Sequence, residues 1–387
     1  MSFEKIINFI KEIYKNQTII PLHEPKFQGN EKKYLSECID GGFVSSVGEF
    51  VDRFERDIAD FCGVKYAVAT TNGTSALHLS LYALGIDEAC EVITQPLSFI
   101  ATSNAITYTK AKPIYIDVDI DSMGMSPFAL EDFLNKNVQM KDGYAINKKT
   151  KKIIKACVPM HTFGHPARIL EIKQICKRWN IYLVEDAAES LGSYIIKEGG
   201  KLVHVGNFGI CGILSFNGNK TITCGGGGAI LTNDEKLAKK LKHLSTTAKI
   251  SHPYKYEHDY IAYNYRLPNI NAALAVAQIE QLEKFLAIKL QLSNLYKKFF
   301  KESSFPIKFI GARSGTRPNF WLNAIMFENV KDQELFLEYS NANGVMTRPI
   351  WTLNNELEIY KDCQCGDLAN AKFLSERIVN IPSSVVL

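Results

Sequence analysis

VKYAVATTNGTSALHLSLYALG, residues 64–85, changes its period once, and that change decides the fold. VKYAVATT is a short apolar run of strand length, whereas Leu77, Leu81 and Leu84 return at helical spacing. Gly73 lies between the two patterns and lets the chain turn. The same unit recurs downstream. EVIT is followed by the helical stretch ATSNAITYTK, then come the strands PIYIDVD and KIIKACVPM, the helix ARILEIKQICKRW and the strand IYLVEDA. CGILSF and GAILTN read as two further strands flanking a glycine run. Strands alternating with amphipathic helices predict an α/β chain with a mostly parallel sheet covered by helices.

The texture shifts elsewhere. Residues from about 128 to 152 are polar and read as a surface excursion. Beyond about residue 240 come a charged helix, the tyrosine-rich HPYKYEHDYIAYNYR and a long helix beginning NINAALAVAQIEQLEKFL, which is suited to joining two domains. FWLNAIMF as a strand and QELFLEYSNANG as a helix complete a smaller α+β domain. The expected division is a large domain over 1–245, including an N-terminal helix, and a small domain over 246–387.

Composition limits the function. A chain of 387 residues exceeds the usual size of one hydrophobic core. Its 45 Lys and Arg are mixed among 41 Asp and Glu, with no basic block or stripe, which argues against nucleic-acid binding. In MSFEKIINFIKEIYKNQTII, residues Glu4, Lys5, Lys11 and Glu12 interrupt every apolar run, so the start reads as a surface amphipathic helix and not a targeting signal. No stretch has the length of a membrane span. Nine cysteines, an odd number scattered in apolar segments, suit thiols in a reducing cytoplasm. Cys363 and Cys365 form a C-x-C without partner ligands, and Gly164 and Pro166 deny His161 and His165 a shared helical face, so no metal is expected.

In open α/β sheets ligands bind at the carboxyl ends of strands. At the first such end, Thr74 and Ser75 open a helix and either hold a phosphate on free amides and hydroxyls or simply cap it. In VEDAAES, a carboxylate after a strand caps a helix, holds a metal or pairs with a protonated heterocycle. Phe99 in PLSFIATSN is core or a stacking platform. The fourth place is SFNGNKTITCGGGGAIL, residues 215–231. Its Lys220 precedes the glycines, so it is no P-loop, and the glycines lead into a strand, so they are no dinucleotide fingerprint. A lysine after a strand end, with small residues making room for a planar ring, suits a Schiff base with an aldehyde cofactor. Phosphate cradle, ring-nitrogen acid, stacking aromatic and lysine together are what pyridoxal phosphate needs.

With these residues, and with NGTSALHLSL, PMHTFGHPA, VEDAAESLGS, SFNGNK and YNYRLPNINAALAVAQIEQL in order, nearly the whole chain resembles the DegT/DnrJ/EryC1/StrS family of nucleotide-sugar aminotransferases. The resemblance implies the aspartate aminotransferase fold type I and pyridoxal 5'-phosphate as cofactor. It implies Lys220 as the covalent lysine and proton shuttle, and Asp186 on the pyridinium nitrogen. Gly73, Thr74, Ser75 and Ser215 would surround the phosphate, Phe99 would stack on the ring and Glu189 would approach its hydroxyl. Asn264 and Arg266 would reach the neighbouring subunit's site, so a homodimer with shared active sites is implied. His161 and Arg348 are candidates for substrate contact. Glutamate would be the amino donor and a 4-keto-6-deoxy nucleotide sugar, with a 2-acetamido group, the acceptor.

Departures from the family pattern refine this. Glu189 stands where Gln is commoner, Leu191 where His is, and GGGG at 225–228 replaces G-E-G-G. With FVSSVGEFV, these resemble the branch that makes 4-amino sugars for nonulosonic acids such as legionaminic acid. Rival readings are another 3- or 4-aminotransferase of the family, a sugar dehydratase, in which a histidine replaces the lysine, and a non-catalytic cofactor-binding regulator.

Overall fold

The computed structural model describes residues 3–303 and 305–386. Its large sheet contains β1 (Tyr66–Thr70), β2 (Cys90–Thr94), β3 (Lys112–Tyr115), the hairpin β4 (Val138–Lys141) and β5 (Tyr144–Asn147), β6 (Ile153–Val158) and β7 (Tyr182–Asp186). A small three-stranded sheet takes β8 (Tyr194–Ile196) and β9 (Leu202–His204), and the large sheet closes with β10 (Cys211–Ser215) and β11 (Gly228–Thr232). The main path runs β1-β11-β10-β7-β6-β2-β3. Neighbours from β10 to β3 are parallel, and β11 alone is reversed, antiparallel to both β1 and β10. The polar stretch from 128 to 152 is more ordered than its composition suggests. It forms the hairpin and a helix, Pro127–Asn137, whose Leu130, Phe133 and Leu134 are buried in the large core.

Helices cover both faces. In chain order they are α1 (Glu4–Ile13), α2 (Glu31–Asp40), α3 (Glu49–Cys62), α4 (Gly73–Ala83), α5 (Ile100–Tyr108), α6 (Pro127–Asn137), α7 (Ile169–Arg178) and α8 (Glu235–Ser245), followed by α9 (Asn269–Ile279), α10 (Leu282–Glu302), α11 (Val330–Ala342) and α12 (Ala369–Ser375). Local chemistry sets their ends. Asn72 accepts from the Ser75 amide to start α4, Ser126 with Pro127 starts α6, and Gly63, at φ +67°, ends α3.

The second sheet is antiparallel, in the order β12 (Ile307–Phe309), β14 (Asn323–Phe327), β16 (Ile378–Ile381) and β15 (Arg348–Pro349). The remaining strand, β13 (Thr316–Arg317), pairs with β8, tying this half of the chain to the large one.

Packing divides the chain differently from the sequence. α1 buries Ile6, Ile7 and Ile10 among Ile325, Phe327, Phe336 and Val379, so it covers the four-stranded sheet and does not belong to the large domain. α9 lies against α2 and α3, and its Ala272, Ala273 and Val276 enter the large core, so residues beyond 245 still belong there. The expected single long helix is two, and α10 is the joint. Its Leu282 and Phe285 are in the large core, its Leu292, Tyr296 and Phe300 in the small one. A further apolar cluster, with Leu97 and Phe163 from one side and Trp321, Leu322 and Ile350 from the other, fills the junction.

Candidate active site

The carboxyl ends of β1, β2, β7 and β10 border a cavity of about 300 Å³ lined by Gly73, Thr74, Phe99, Asp186, Glu189, Ser215 and Lys220. Parallel strands bring these residues, up to 147 positions apart in sequence, to one edge of the sheet. At the end of β1, the Asn72 side chain takes the Ser75 amide (2.8 Å) and its carbonyl takes that of Ala76 (3.0 Å). The earlier amides of α4, those of Gly73 and Thr74, have no protein acceptor among the described residues, and both residues line the cavity. A Cβ at Gly73 would stand 3.0 Å from the Ser215 Cβ, so glycine keeps this corner open.

Successive side chains of a strand point to opposite faces, and β7 uses both. Glu185 is fully buried away from the cavity, where it accepts from the amides of Gly206 (2.8 Å), Phe208 (2.6 Å) and Gly209 (2.7 Å) and from the His161 Nε2–H (3.1 Å). Asp186 turns into the cavity, where its Oδ2 accepts from the Thr102 hydroxyl at 2.6 Å and its Oδ1 from the Ala188 amide at 3.2 Å. Such a charge-assisted bond contributes roughly 1.5–3 kcal/mol and holds the carboxylate still.

Lys220 Nζ is 3.3 Å from Glu189 Oε1 and 4.0 Å from the centroid of the Trp321 ring. The other oxygen of Glu189 accepts from the amide of Phe163 (2.9 Å), a residue held at φ +55°. Burial pushes the Glu189 carboxyl up to about 7, and the Lys220 charge and the Phe163 bond offset that only in part. The Trp321 indole N–H donates to the Asn219 carbonyl at 2.6 Å, so the ring is fixed to the segment that carries Lys220. Phe99, half exposed, stands at the N-terminus of α5 with its ring 6.5 Å from that of Trp351. It is not core.

Other candidates fall outside this cavity. Ser75 opens onto an adjoining one, with Asn72, His78 and Tyr265. His161 is fully buried, its Nδ1 accepting from the Ala167 amide (3.0 Å) while Nε2 serves Glu185, so no ring nitrogen is left for a substrate. Arg348 is exposed on β15, bonded to Asn341 (3.0 Å) and the Thr347 carbonyl (2.8 Å), away from the cavity. Asn264 accepts from Arg266 Nε (2.9 Å), also outside it. The glycine run does not line the cavity either. A Cβ at Gly228 would meet the Asn72 carbonyl at 2.4 Å, so that glycine admits the turn after β1, not a ring.

A family model described as the DegT/DnrJ/EryC1/StrS aminotransferase family matches residues 25–387. The chain belongs to this family. It is 34% identical over 370 residues to a GDP-perosamine synthase of Vibrio cholerae, covering 94% of each chain. It is 35% identical to a GDP-perosamine synthase of Escherichia coli O157:H7, covering 94% of this chain and 93% of that one. Among solved structures, a DegT DnrJ EryC1 StrS aminotransferase from Brucella abortus superposes with a TM-score of 0.82 at 26% identity, covering 92% of this chain and 90% of that one. Helicobacter pylori PseC, an aminotransferase involved in the biosynthesis of pseudoaminic acid, gives 0.82 at 23% identity over 94% and 93%, and speaks for the fold alone.

DegT-family aminotransferases are pyridoxal phosphate dependent, and the residues present fit that group. Free amides of α4 with Thr74 and Ser215 suit a phosphate, Asp186 suits a protonated ring nitrogen, and Lys220 lines the same cavity. Sequence reasoning missed Asn72, Thr102, Trp321 and Trp351, all of which line the cavity. Trp321 carried a usable signal, being one of only three tryptophans in the chain. Thr102 carried none, since it looks like any helix residue.

Proposed function

We propose that the chain is a cytoplasmic pyridoxal-phosphate aminotransferase that moves an amino group from glutamate to the C4 keto group of a 4-keto-6-deoxy nucleotide sugar. The observation that carries this reading is Lys220 Nζ held between Glu189 and the Trp321 ring, on the same cavity as Asp186 and the open N-terminus of α4. When bound, pyridoxal phosphate supplies an aldehyde for amines and a ring that withdraws electrons from the carbon losing its proton. Gly73, Thr74 and Ser215 anchor the phosphate, while Asp186, steadied by Thr102, keeps the proton on the ring nitrogen. Lys220 would be the residue that holds the cofactor's aldehyde and, as a free amine, the base that takes the proton from the donor's Cα. Glu189, poised near neutrality, stabilises the lysine ammonium during that transfer. The keto acid leaves before the sugar enters, so initial-rate plots should be parallel, as for a ping-pong reaction.

The 33–35% identity to GDP-perosamine synthases over 94% of this chain supports the nucleotide-sugar class and favours a GDP-linked acceptor. Glu189, Leu191 and the glycine run favour instead a 2-acetamido sugar destined for a legionaminic-type acid. Absorbance of the cofactor-loaded protein before and after glutamate, in wild type and Lys220→Ala, tests the lysine. A panel of GDP- and UDP-linked 4-keto sugars then separates the two acceptors. Persistence of the glutamate response in Lys220→Ala would sink the reading.

The active unit is a homodimer with shared sites. In its support, Asn264 and Arg266 adjoin a strip in which Tyr254, Tyr256, Tyr260 and Ile261 are 60–82% exposed, more apolar surface than an isolated chain tolerates well. Mixed dimers of Asn264→Ala and Lys220→Ala should recover part of the activity that each variant lacks.

A further inference from the structure

Lys289, near the middle of α10, is fully buried. Its ammonium has three donors and finds three acceptors: the Ser383 carbonyl at 2.6 Å, His23 Nε2 at 3.0 Å and the Trp321 carbonyl at 3.2 Å. Among the described residues no carboxylate forms an ion pair with it, and burial pushes the amine down to about 7. A lysine so placed is unfavourable unless its bonds are needed, because desolvating an ammonium without a counter-ion costs several kcal/mol.

What those bonds hold is the back of the active site. Trp321 is fixed at three points: its carbonyl by Lys289, its amide by Asn319 Oδ1 at 2.8 Å, and its indole N–H by the Asn219 carbonyl at 2.6 Å. Asn319 is itself tied to the Glu189 and Leu191 carbonyls, each at 2.9 Å, and to Thr221 Oγ1 at 3.2 Å. The ring thus faces Lys220 Nζ while its backbone rests on Lys289. We propose that Lys289 is a positioning residue for Lys220: by holding the Trp321 backbone from α10, the N-terminal segment and the C-terminal segment at once, it keeps the indole face under the reactive amine.

The sign of its effect separates this role from a purely electrostatic one. The charged and titratable groups facing Lys220 are Glu189 and Asp186 from the segment at the end of β7 and His23 from the N-terminal segment, with Lys289 of α10 behind the Trp321 backbone. An indole face stabilises an ammonium, so losing it should make Lys220 easier to deprotonate. Losing a nearby positive charge should do the reverse.

The experiment is competitive acetylation of the cofactor-free protein with trace acetic anhydride across pH, read at the Lys220 peptide. It reads the amine directly, so it stands whether or not the aminotransferase reading of Lys220 does. Lys289→Met, an apolar side chain of similar length, should lower the midpoint of Lys220 acylation by about one pH unit, a tenfold change. Lys289→Gln, retaining an amide donor, should lower it by less. Trp321→Leu should lower it to the same degree as Lys289→Met, and the double variant should move no further. An unchanged or raised midpoint in the Met variant, or full addition in the double variant, would overturn the proposal. If the Met variant does not fold, the direction of the Gln shift decides in the same way.

Discussion

Two lysines lie on either side of Trp321, and their surroundings differ in what they let an amine do. Lys220 opens onto a cavity, with its side chain 13% exposed, a carboxylate at 3.3 Å and an aromatic face beneath. Lys289 is sealed, with two carbonyls and a histidine and, among the described residues, no carboxylate partner. The first has room for a substrate and a partner that stabilises its charge, so it can exchange protons and bonds. The second has its donors committed to fixed acceptors, so it can only hold. On the proposed reading, a buried lysine becomes a reactive one through an open face beside it, and not through burial as such.

The comparison breaks most visibly at Lys220. Lys220→Ala should lower transamination on the order of 10³-fold or more while the fold persists, checked by turnover and circular dichroism. If Lys289→Ala abolished turnover equally, with the cofactor band also gone, the division between reacting and holding lysines would fail. Asp186→Asn comes next. With the Thr102 bond retained but the charge removed, kcat should fall roughly a hundredfold, with little change in thermal midpoint.

A smaller effect sharpens the Lys289 side. Its amine titrates near 7 in the folded chain against an ordinary 10.5. Between those values the unfolded chain holds a proton that the folded chain has released, so stability gains from rising pH over that window. Urea midpoints of wild type relative to Lys289→Met should therefore rise from about pH 7 towards pH 10, and a flat difference would place the Lys289 charge in a wetter site. The smallest effect belongs to Arg348. Exposed and, among the described residues, with its side chain bonded only to Asn341 and the Thr347 carbonyl, its change to Ala should alter kcat/KM by no more than about twofold.

The sheet was legible because its evidence is local. The switch of period around Gly73, and the parallel strands from EVIT to CGILSF that form the main path, can be read from neighbouring side chains, whereas the β4–β5 hairpin could not, and the order of the strands puts their carboxyl ends together. Thr74, Asp186 and Lys220 follow, since they stand at or just beyond such ends, and Glu189 and Ser215 came with the family resemblance. The domain division was not legible. α1 and α9 are amphipathic or apolar helices whose sequences say that they bury a face but not against which sheet, and packing sent α1 to the four-stranded one and α9 to the large one.

By itself the sequence determined most strands of the large sheet, the parallel α/β class and the family, and it pointed to Lys220, because periodicity and short-range spacing are properties of neighbouring residues. Only the tertiary structure decided that the glycine run packs on Asn72, that His161 is consumed by Glu185 and Ala167, and that Trp321 joins Lys220 to Lys289. Those facts depend on which distant surfaces meet, and a carbonyl or ring face that binds a lysine from 30 or 100 residues away leaves no mark on the residues beside it.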